Sequence, residues 1–591
     1  MADNPKYNFE EFTLEKCFTN FFIVPDYQRE YVWKADQQVA RLLSDVSEAY
    51  EANADKEYFI GTTVVFNNNG QLELIDGQQR ITTLFLSLCA FRRLFDERDM
   101  THDDMDSFIC NFKRTAKGLE HRYHLILQYD ESSNILQLIA ENKLPEADKI
   151  SQSCIRLIDA YRWIYNELSK LNNEDLNRLY FYFSTKLKFI QISTPDINDA
   201  LKIFETINDR GVGLNPMDLL KNLIFRQVPR DNFYIIKQKW QELMRLLENN
   251  GEKPLRFLRY FIMSNYPRED QGLNKNSTAK NIVREDEIYQ WLVNNATTCD
   301  YVNKPVDFVN LLIENAKAFI NFAKGRDANG DENVYVSNIT ILGGTVFRQH
   351  IISLLTARGF SKEMFDYLAR NIECYLFYYL LTKEQAKTFE KKFADWNLIL
   401  KDIKDMVQLN TFVRKYIQPE VDKKSIEFSD TFHRLSEYDV QKYRLRYVLA
   451  RITQYVDLSR KGTSTASSIR PYLEKGVEIE HILPQKPFSD EIASQFENYD
   501  RSKSMLGNLT LIEKSTNDVI KNKPYTEKVG EYGKSPYYLT SSLLALDTIG
   551  NNTAINRLNQ SLHSFNEWTQ KSIEDRQEML YKLALEIWKV E

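Results

Sequence analysis

The sequence is poor in cysteine and has no cysteine pair at a metal-binding spacing. None of the six cysteines belongs to a CxxC pair, which argues against a structural zinc ribbon. Their wide spread indicates a reducing compartment, and two of them lie in apolar runs that are typical of core thiols. The six are Cys17, Cys89, Cys110, Cys154, Cys299 and Cys374, of which Cys89 and Cys374 are the two expected in a core.

The chain also lacks apolar segments for secretion or membrane insertion. Its first residues, MADNPKYNFEEF, show no basic stretch followed by an apolar one, so no signal peptide is expected. No uncharged apolar run of about 18 residues occurs, so no transmembrane helix is expected. We therefore predict a cytoplasmic protein with no membrane partner.

Length and composition indicate a globular chain of several domains. The 591 residues are too many for one core and predict two to four domains. With 43% hydrophobic and 27% charged residues, the chain can bury enough apolar surface to fold. A net charge of −6 argues against a polyanion-coating protein but leaves room for a local basic groove.

A hairpin followed by a helix is predicted near the N-terminus. YFIGTTVVF (58–66) and QLELID (71–76) alternate like strands and are separated by the turn signal NNNG. The stretch 81–95 has the pattern of an amphipathic helix, and KLKFIQIST (186–194) is a further candidate strand. A helix is also predicted to begin at Pro216. The region is thus expected to be mixed α/β.

The loop IDGQQR (75–80) lies between the second strand and the helix and has the chemistry of a phosphate site. Amides at a helix N-terminus favour phosphate, and Gly77 permits close backbone approach. Gln78 and Gln79 supply amide donors, Arg80 supplies a planar fork for phosphate oxygens, and Asp76 could hold a cation or orient water. The loop is neither a Walker A nor a Rossmann fingerprint, and a plain hairpin-to-helix turn is the alternative reading.

The rest of the chain to about residue 440 has a helical pattern without a chemical motif. LRFLRYF (255–261) places Arg256 and Arg259 on one helix face, which could touch a DNA backbone or simply be solvated. KGTSTASSIR (461–470) is predicted to be a loop or linker, and 444–456 a bridging helix before it.

The C-terminal part contains the ordered set EHILPQ (480–485), LGNLTLI (506–512) and Asn517. His481 at a strand end is a candidate general base, and Glu480 and Asn517 are suitable oxygen ligands for Mg²⁺. Asn508 could brace the loop that carries His481, and Lys523 could contact a phosphate. Taken singly, each of these residues is more simply a turn, cap or surface residue; only the ordered set predicts a strand–strand–helix metal-dependent nuclease.

The C-terminal set resembles the His-Me finger (HNH-type) domain of GmrSD-like type IV restriction enzymes, over about 440–591. IVPDYQREYVW (23–33), IDGQQRITTL (75–84) and FETINDRG…LNPMDLLKN (204–222) are similar to the ParB/sulfiredoxin-like N-terminal domain of the same family. The resemblance implies His481 as base, Glu480 and Asn517 as metal ligands, and Asn508 as an orienting residue. Many HNH sites have His where this chain has Asn517. For the N-terminal domain it implies nucleotide residues Asp76, Gly77, Gln78, Gln79, Arg80, Tyr27, Gln28, Arg29, Asn208 and Arg210.

Together these patterns predict an α+β multidomain, largely helical protein. The expected regions are a ParB-like α/β nucleotide-binding domain (1–235), a helical region (236–440) and a ββα-metal nuclease domain (441–591). The resemblance implies a modification-dependent DNA endonuclease of antiphage defence, with Mg²⁺ or Mn²⁺ and a nucleoside triphosphate (ATP, GTP, CTP or UTP) as cofactors. Its partner would be double-stranded phage DNA with a modified base or backbone, and a homodimer is possible. The alternatives are a nucleotide-dependent nucleic-acid-binding switch and an RNA-directed toxin nuclease.

Overall fold

The two halves of the chain fold as separate units in the computed structural model. One unit comprises Met1–Trp240 with Tyr301–Val306, and the other Gln241–Asp300 with Asp307–Glu591. The predicted limits at 235/236 and 440/441 stay predictions. The structure describes residues 8–25, 28, 30–68, 71–115, 118–128, 134–145, 150–195, 199–200, 203, 216–228, 233–267, 282–463, 467–487, 489–551 and 553–591.

A six-stranded mixed sheet organises the first unit. The strands of the unit are β1 (Asn8–Thr13), β2 (Phe22–Val24), β3 (Tyr58–Asn68), β4 (Gln71–Asp76), β5 (Cys110–Thr115), β6 (Gly118–Tyr123), β7 (Leu125–Leu127) and β8 (Leu187–Thr194). The order in the sheet is β1-β8-β3-β4-β2-β7; the β1–β8 and β3–β4 pairs are antiparallel, and the β8–β3, β4–β2 and β2–β7 pairs are parallel. Strands β5 and β6 form a separate antiparallel hairpin.

The predicted hairpin is confirmed, because β3 and β4 pair directly. The helix after it runs from Gln78 to Glu97 and so begins three residues earlier than predicted. Its apolar side chains are buried in the core of the unit, with the helix Gln152–Ser169 against it. The predicted strand at 186–194 is β8, and the predicted helix start at Pro216 is also confirmed. The sheet and these helices hold the end of β4 in place.

The first unit has further helices, and two described helices cross the division between the units. The crossing helices are Phe233–Asn249 and Pro305–Ala323. The others are Leu14–Cys17, Ala40–Ala52, Asp103–Ile109, Ile135–Ala140, Asn173–Thr185 and Pro216–Phe225.

The second unit is largely helical, as predicted. The predicted bridging helix at 444–456 is present as Lys442–Arg460. Trp588, near the C-terminus, stacks on Phe377 of a helix about two hundred residues earlier in the chain, with ring centroids 3.5 Å apart. The helices are Pro254–Asn265, Ile288–Asn294, Ala296–Cys299, Pro305–Ala323, Val334–Gly343, Ile351–Thr356, Lys362–Leu381, Ala386–Leu400, Met406–Phe412, Gln418–His433, Lys442–Arg460, Asp490–Ser494, Tyr499–Ser504, Lys514–Ile520, Tyr525–Tyr532, Tyr538–Ser541, Ala554–Asn559 and Gln570–Ile587.

The state of the cysteines matches the prediction from the sequence. All six cysteines are unpaired thiols, and Cys89 and Cys374 are buried as predicted. Burial raises the pKa of the Cys89 thiol to about 12, so this thiol stays protonated and unreactive. Across the described ranges, no helix combines the length and apolarity needed to cross a membrane.

Candidate functional site

Two short strands and a helix form the frame of the C-terminal site. β9 (Val477–His481) pairs antiparallel with β10 (Leu509–Glu513), and His481 lies opposite Leu509. The helix Lys514–Ile520 follows β10 without a linker. The strand–strand–helix order predicted for this stretch is therefore present, and it places His481 at the end of a strand.

His481 is held at both ring nitrogens. Its Nε2 lies 3.2 Å from Oε1 of Glu437, and its Nδ1 lies 3.2 Å from Nε2 of Gln485. A carboxylate only accepts hydrogen bonds, so Nε2 carries the proton towards Glu437. Nδ1 then has the lone pair and accepts from the Gln485 amide. This tautomer follows from the partners, and it makes Nδ1 the atom that could take a proton from water.

Glu437 is a candidate site residue that the sequence reasoning missed. It lies 44 residues before His481, outside every motif, and no local pattern points to it. Its backbone is tied to the site, because Glu437 N donates to Ser504 O at 2.9 Å. Leu506 N in turn donates to Leu435 O at 2.9 Å. The carboxylate is thus positioned beside the imidazole by contacts between distant parts of the chain.

If His481 is the predicted general base of a nuclease, replacing Glu437 with Ala should lower the kcat of cleavage by about 10- to 100-fold, the usual cost of losing a side chain that orients a site residue. Without this acceptor the imidazole can adopt either tautomer and can turn. The KM for DNA should change little, because Glu437 faces His481. Glu437→Gln keeps an acceptor oxygen and should retain more activity than Glu437→Ala. Single-turnover cleavage kinetics measure this, with the exposed carboxylate variant Glu497→Gln as control. Equal rates for Glu437→Ala and the control would contradict the orienting role.

Asn508 holds the loop that follows His481. Its Oδ1 accepts from Leu483 N at 2.6 Å, and its Nδ2 donates to Leu483 O at 3.1 Å. The indole Nε1 of Trp568 also donates to Oδ1 at 2.9 Å. Asn508 is fully buried, so these bonds are shielded from water. The side chain fixes the path of the chain from His481 to Leu483 and does not line the cleft beside His481.

Glu480 forms a buried ion pair. Its Oε1 accepts from Lys528 Nζ at 2.6 Å and from the Tyr532 hydroxyl at 2.8 Å. The two charged side chains are only 1% (Lys528) and 6% (Glu480) exposed. Burial lowers the pKa of Lys528, and the neighbouring Glu480 carboxylate opposes that shift. Both bonds end on Oε1, so a cation could be bound through Oε2 without breaking them.

A cleft of about 230 Å³ brings together three of the predicted residues. Glu480, His481 and Asn517 line it, and Asn517 Nδ2 donates to Glu478 Oε2 at 2.7 Å, which turns its Oδ1 away from that carboxylate. No group of three or more His, Cys, Asp or Glu side chains that could hold a metal occurs in the part of the chain that is described. The donors present are a carboxylate oxygen and an amide oxygen. They fit Mg²⁺ or Mn²⁺, since Mg²⁺ keeps several waters and needs few protein ligands.

The structure does not bring Lys523 to this cleft. Lys523 is exposed, and the preceding residues Lys521 and Asn522 line the cleft instead. Asn522 is further bound to the backbone of Lys486, donating to its oxygen at 3.0 Å. A phosphate at the cleft would therefore meet Lys521 before Lys523.

The IDGQQR loop lies at the end of β4, where Gly77 starts a helix. Gly77 has a φ of +85°, and a Cβ there would lie 2.6 Å from Cγ2 of Thr63. Only glycine fits without a shift of Thr63. With no side chain at this position to cap the first turn, the helix amides are presented as in known phosphate-binding helix starts.

The two glutamines of the loop are buried, and Gln79 joins two motifs. Its Oε1 accepts from Val32 N at 2.8 Å, and its Nε2 donates to Glu30 O at 3.0 Å. Gln79 therefore binds the backbone of the YQREYVW block to the helix start. Gln78 is also buried. The predicted nucleotide role of both residues stays a prediction, and in this structure the amide of Gln79 serves the fold.

The Arg80 side chain bonds to the backbone of the neighbouring strand β3. Its Nη1 donates to Thr62 O at 3.0 Å. Burial lowers the pKa of Arg80, while the charge of Asp76 opposes the shift. Asp76 and Arg80 are thus close enough to interact at the end of β4.

Gln28 is the described member of the YQR triplet. It is buried, and its Nε2 has no hydrogen-bond partner among the described residues. A buried amide without a partner is costly, so this donor is a candidate to meet a ligand or water. The predicted residues Tyr27, Arg29, Asn208 and Arg210 lie outside the described residues.

Family models match both ends of the chain. Residues 11–225 match the GmrSD restriction endonuclease N-terminal domain, and residues 422–583 match the GmrSD restriction endonuclease C-terminal domain. The chain belongs to the GmrSD-like type IV restriction enzymes. The resemblance inferred from the motifs is therefore confirmed. No curated protein matches this GmrSD-like chain.

Membership of the GmrSD-like family accounts for both candidate sites by position. The IDGQQR loop lies within the matched N-terminal domain, and Glu437, Glu480, His481, Asn508 and Asn517 lie within the matched C-terminal domain. A restriction endonuclease acts on DNA. The helices between residues 226 and 421 of this GmrSD-like chain are covered by neither model.

Proposed function

We propose that the chain is a cytoplasmic, modification-dependent DNA endonuclease of antiphage defence, in which a nucleoside triphosphate bound by the N-terminal domain regulates cleavage or nicking by the C-terminal domain. The observation that carries the nuclease part is the cleft where His481, Glu480 and Asn517 meet. A base, a carboxylate oxygen and an amide oxygen in one cleft are the groups that phosphodiester hydrolysis requires.

Each residue at this cleft has a separate role in the proposed reaction. His481 Nδ1 accepts a proton from the attacking water, while Glu437 holds the Nε2 proton and keeps the ring in place. Gln485, which donates to Nδ1, is exposed and can yield its place to water. Asn508 fixes the His481 loop. A Mg²⁺ or Mn²⁺ ion held by Glu480 and Asn517 would supply positive charge for the phosphate and the leaving oxygen.

The N-terminal part of the proposal depends on the end of β4. The helix start at Gly77, which has no side-chain cap, and the charges of Asp76 and Arg80 beside it suit a phosphate-bearing ligand, and Gln28 of the nearby sequence block offers a buried donor. Because Gln79 ties this helix start to Glu30 and Val32, a nucleotide bound here would also act on the YQREYVW block. Through these two hydrogen bonds of Gln79, nucleotide binding at the helix start would favour one conformation of the YQREYVW block over another.

Cleavage of matched DNAs tests the nuclease proposal. Purified protein is given unmodified, hydroxymethylated, glucosylated and phosphorothioated DNA, with Mg²⁺, Mn²⁺ or EDTA, and with or without each nucleoside triphosphate. We expect cleavage of one modified DNA, dependent on metal and changed by nucleotide. Cleavage of RNA but of no DNA would favour a toxin nuclease. Nucleotide turnover without any cleavage would favour a nucleic-acid-binding switch.

Replacing Asp76 with Ala should reduce nucleoside triphosphate turnover by about 10-fold or more, the loss expected when a group that orients a reactant is removed. Asp76 lies directly before the helix start and interacts with Arg80. Phosphate release in steady state measures the effect, with the exposed helix residue Asp159→Ala as control. If turnover in Asp76→Ala equals that of the control, the nucleotide site lies elsewhere.

A further inference from the structure

A second, larger cleft lies between helices of the second unit, in the stretch that the family models leave largely unmatched. Its volume is about 830 Å³, within the usual range for ligand sites. The walls come from the helices Pro254–Asn265, Ala386–Leu400 and Gln418–His433 and from the segment 282–287. We call it the middle cleft; Arg259, the second arginine of the LRFLRYF motif, lines it.

The inner walls of the middle cleft are already neutralised by ion pairs. Lys392 Nζ lies 3.0 Å from Glu420 Oε1, and Lys424 Nζ lies 3.2 Å from Glu384 Oε2. Arg259 is paired with Glu390, and both side chains are mostly buried. In these pairs the carboxylates of Glu384, Glu390 and Glu420 are each matched by a cation.

The Glu420 carboxylate of these walls is held in its ionised form. Burial opposes ionisation of Glu420, but hydrogen bonds from Tyr379 and Lys392 outweigh it and lower its pKa. The Tyr379 hydroxyl donates to Glu420 Oε2 at 2.6 Å. These ion pairs form part of the walls, and the charge of Arg259 is paired with Glu390 instead of being free for a DNA backbone.

Three further lysines line the middle cleft and belong to none of these ion pairs. Lys387, Lys391 and Lys423 line it, are exposed, and have no ion-pair partner within the described ranges. Lys387 and Lys391 lie one turn apart on one helix, so their like charges repel. Lys423 comes from a different helix. The lining residues include seven Lys or Arg against five Asp or Glu, in a chain of net charge −6.

This arrangement suits phosphate groups and not bases. Tyr379 is the one aromatic side chain among the described lining residues, and it is buried, so it offers no exposed ring for a base to stack on. Exposed lysines on two helices instead provide separated positive charges at the cleft surface. Separated charges of this kind fit successive phosphates of a nucleic-acid backbone.

We propose that the middle cleft contacts backbone phosphates of the DNA substrate through Lys387, Lys391 and Lys423. The inference rests on the proposed function insofar as it takes DNA as the partner. It assigns a role to a segment between the two matched domains and explains how an acidic chain can bind a polyanion.

The test is the salt dependence of DNA binding by the full chain. Wild type and the triple variant Lys387→Gln/Lys391→Gln/Lys423→Gln are titrated with fluorescent duplex DNA in EDTA, over a range of salt concentrations. The matched control is Lys404→Gln/Lys571→Gln/Lys589→Gln, which removes three exposed lysines away from the cleft. We expect the cleft variant alone to bind more weakly, with a slope of log K against log salt that is smaller by about 2 to 3. Circular dichroism and melting curves verify that both variants are folded.

Two results would overturn the inference. One is a cleft variant whose slope equals that of wild type and of the control. The other is an unchanged DNA slope together with loss of nucleoside triphosphate binding, which would assign the lysines to free nucleotide phosphates. Because binding is measured without metal, the outcome is separate from cleavage. If the cleft variant has a smaller slope but the wild-type protein cuts no DNA, the role of the middle cleft is supported and the nuclease proposal is rejected. If the wild-type protein cuts DNA but the cleft variant has an unchanged slope, the nuclease proposal is supported and the role of the middle cleft is rejected.

Discussion

Replacing His481 with Ala is expected to lower the rate of DNA cleavage by about 10²- to 10⁴-fold, the usual contribution of a positioned general base. His481 contributes the imidazole of the cleft, and its Nδ1 is the ring atom with a lone pair when Nε2 bonds to Glu437. DNA binding should persist, because the imidazole acts on water and not on the DNA backbone. Single-turnover cleavage and equilibrium binding measured on the same DNA separate these two effects.

A second histidine supplies the matched control for this variant. His563 is exposed and lies outside the cleft, so His563→Ala should cut DNA at the wild-type rate. A His481→Ala protein that still cuts as fast as His563→Ala would show that another group activates water. Loss of both cleavage and DNA binding in His481→Ala would instead indicate that the substitution disturbs the fold of the cleft.

The predictable part of the nuclease site is the part encoded by local sequence. A strand ending at His481, a second strand beginning at Gly507-Asn508 and a helix carrying Asn517 each leave a short pattern; all three elements are present, with the second strand starting at Leu509. Asn508 could be assigned to bracing because its neighbours place it between strand and loop. Glu437 could not be found, because its contact with His481 depends on how the turn at 435–437 pairs with residues 504–506. Contacts of that kind leave no periodicity in the chain.

The IDGQQR loop shows a different limit of sequence reasoning. The hairpin and a helix after Gly77 were predictable from turn preferences and the apolar pattern, but the helix begins at Gln78, three residues before the predicted start. The fate of the Gln79 amide was not, because donors suited to a phosphate are equally suited to backbone groups. In the structure Gln79 bonds to Glu30 and Val32 and thereby joins two motifs that are far apart in sequence. Residue chemistry singled out this loop as a candidate site, whereas the partners of its individual hydrogen bonds depend on the tertiary fold.

The Glu480–Lys528 pair joins the nuclease strand to the helix Tyr525–Tyr532, and breaking it should have the largest effect on stability. Lys528→Met would leave the Glu480 carboxylate buried without its ammonium partner. Removing one member of a buried pair costs about 3–5 kcal/mol, because the remaining charge is uncompensated. The Tyr532 hydroxyl still donates to Glu480 but carries no charge to balance it. We therefore expect faster hydrogen exchange of the amides of β9 and β10, which report the local free energy of opening.

The double variant Glu480→Gln/Lys528→Met decides whether charge is the cause. It removes both charges and keeps side chains of similar size, so its exchange should lie closer to wild type than that of Lys528→Met alone. The exposed-lysine variant Lys534→Met is the control, since Lys534 pairs only at the surface with Glu531. If Lys528→Met exchanges as slowly as this control, the buried pair does not hold β9 to the helix. A slow-exchanging double variant that has lost cleavage would show that the pair serves the reaction as well as the fold. Either the Glu480 oxygen available to a cation or the bond from Lys528 Nζ to His481 O, 2.8 Å long, would then be the missing element, and a Glu480→Gln single variant that keeps Lys528 separates the two.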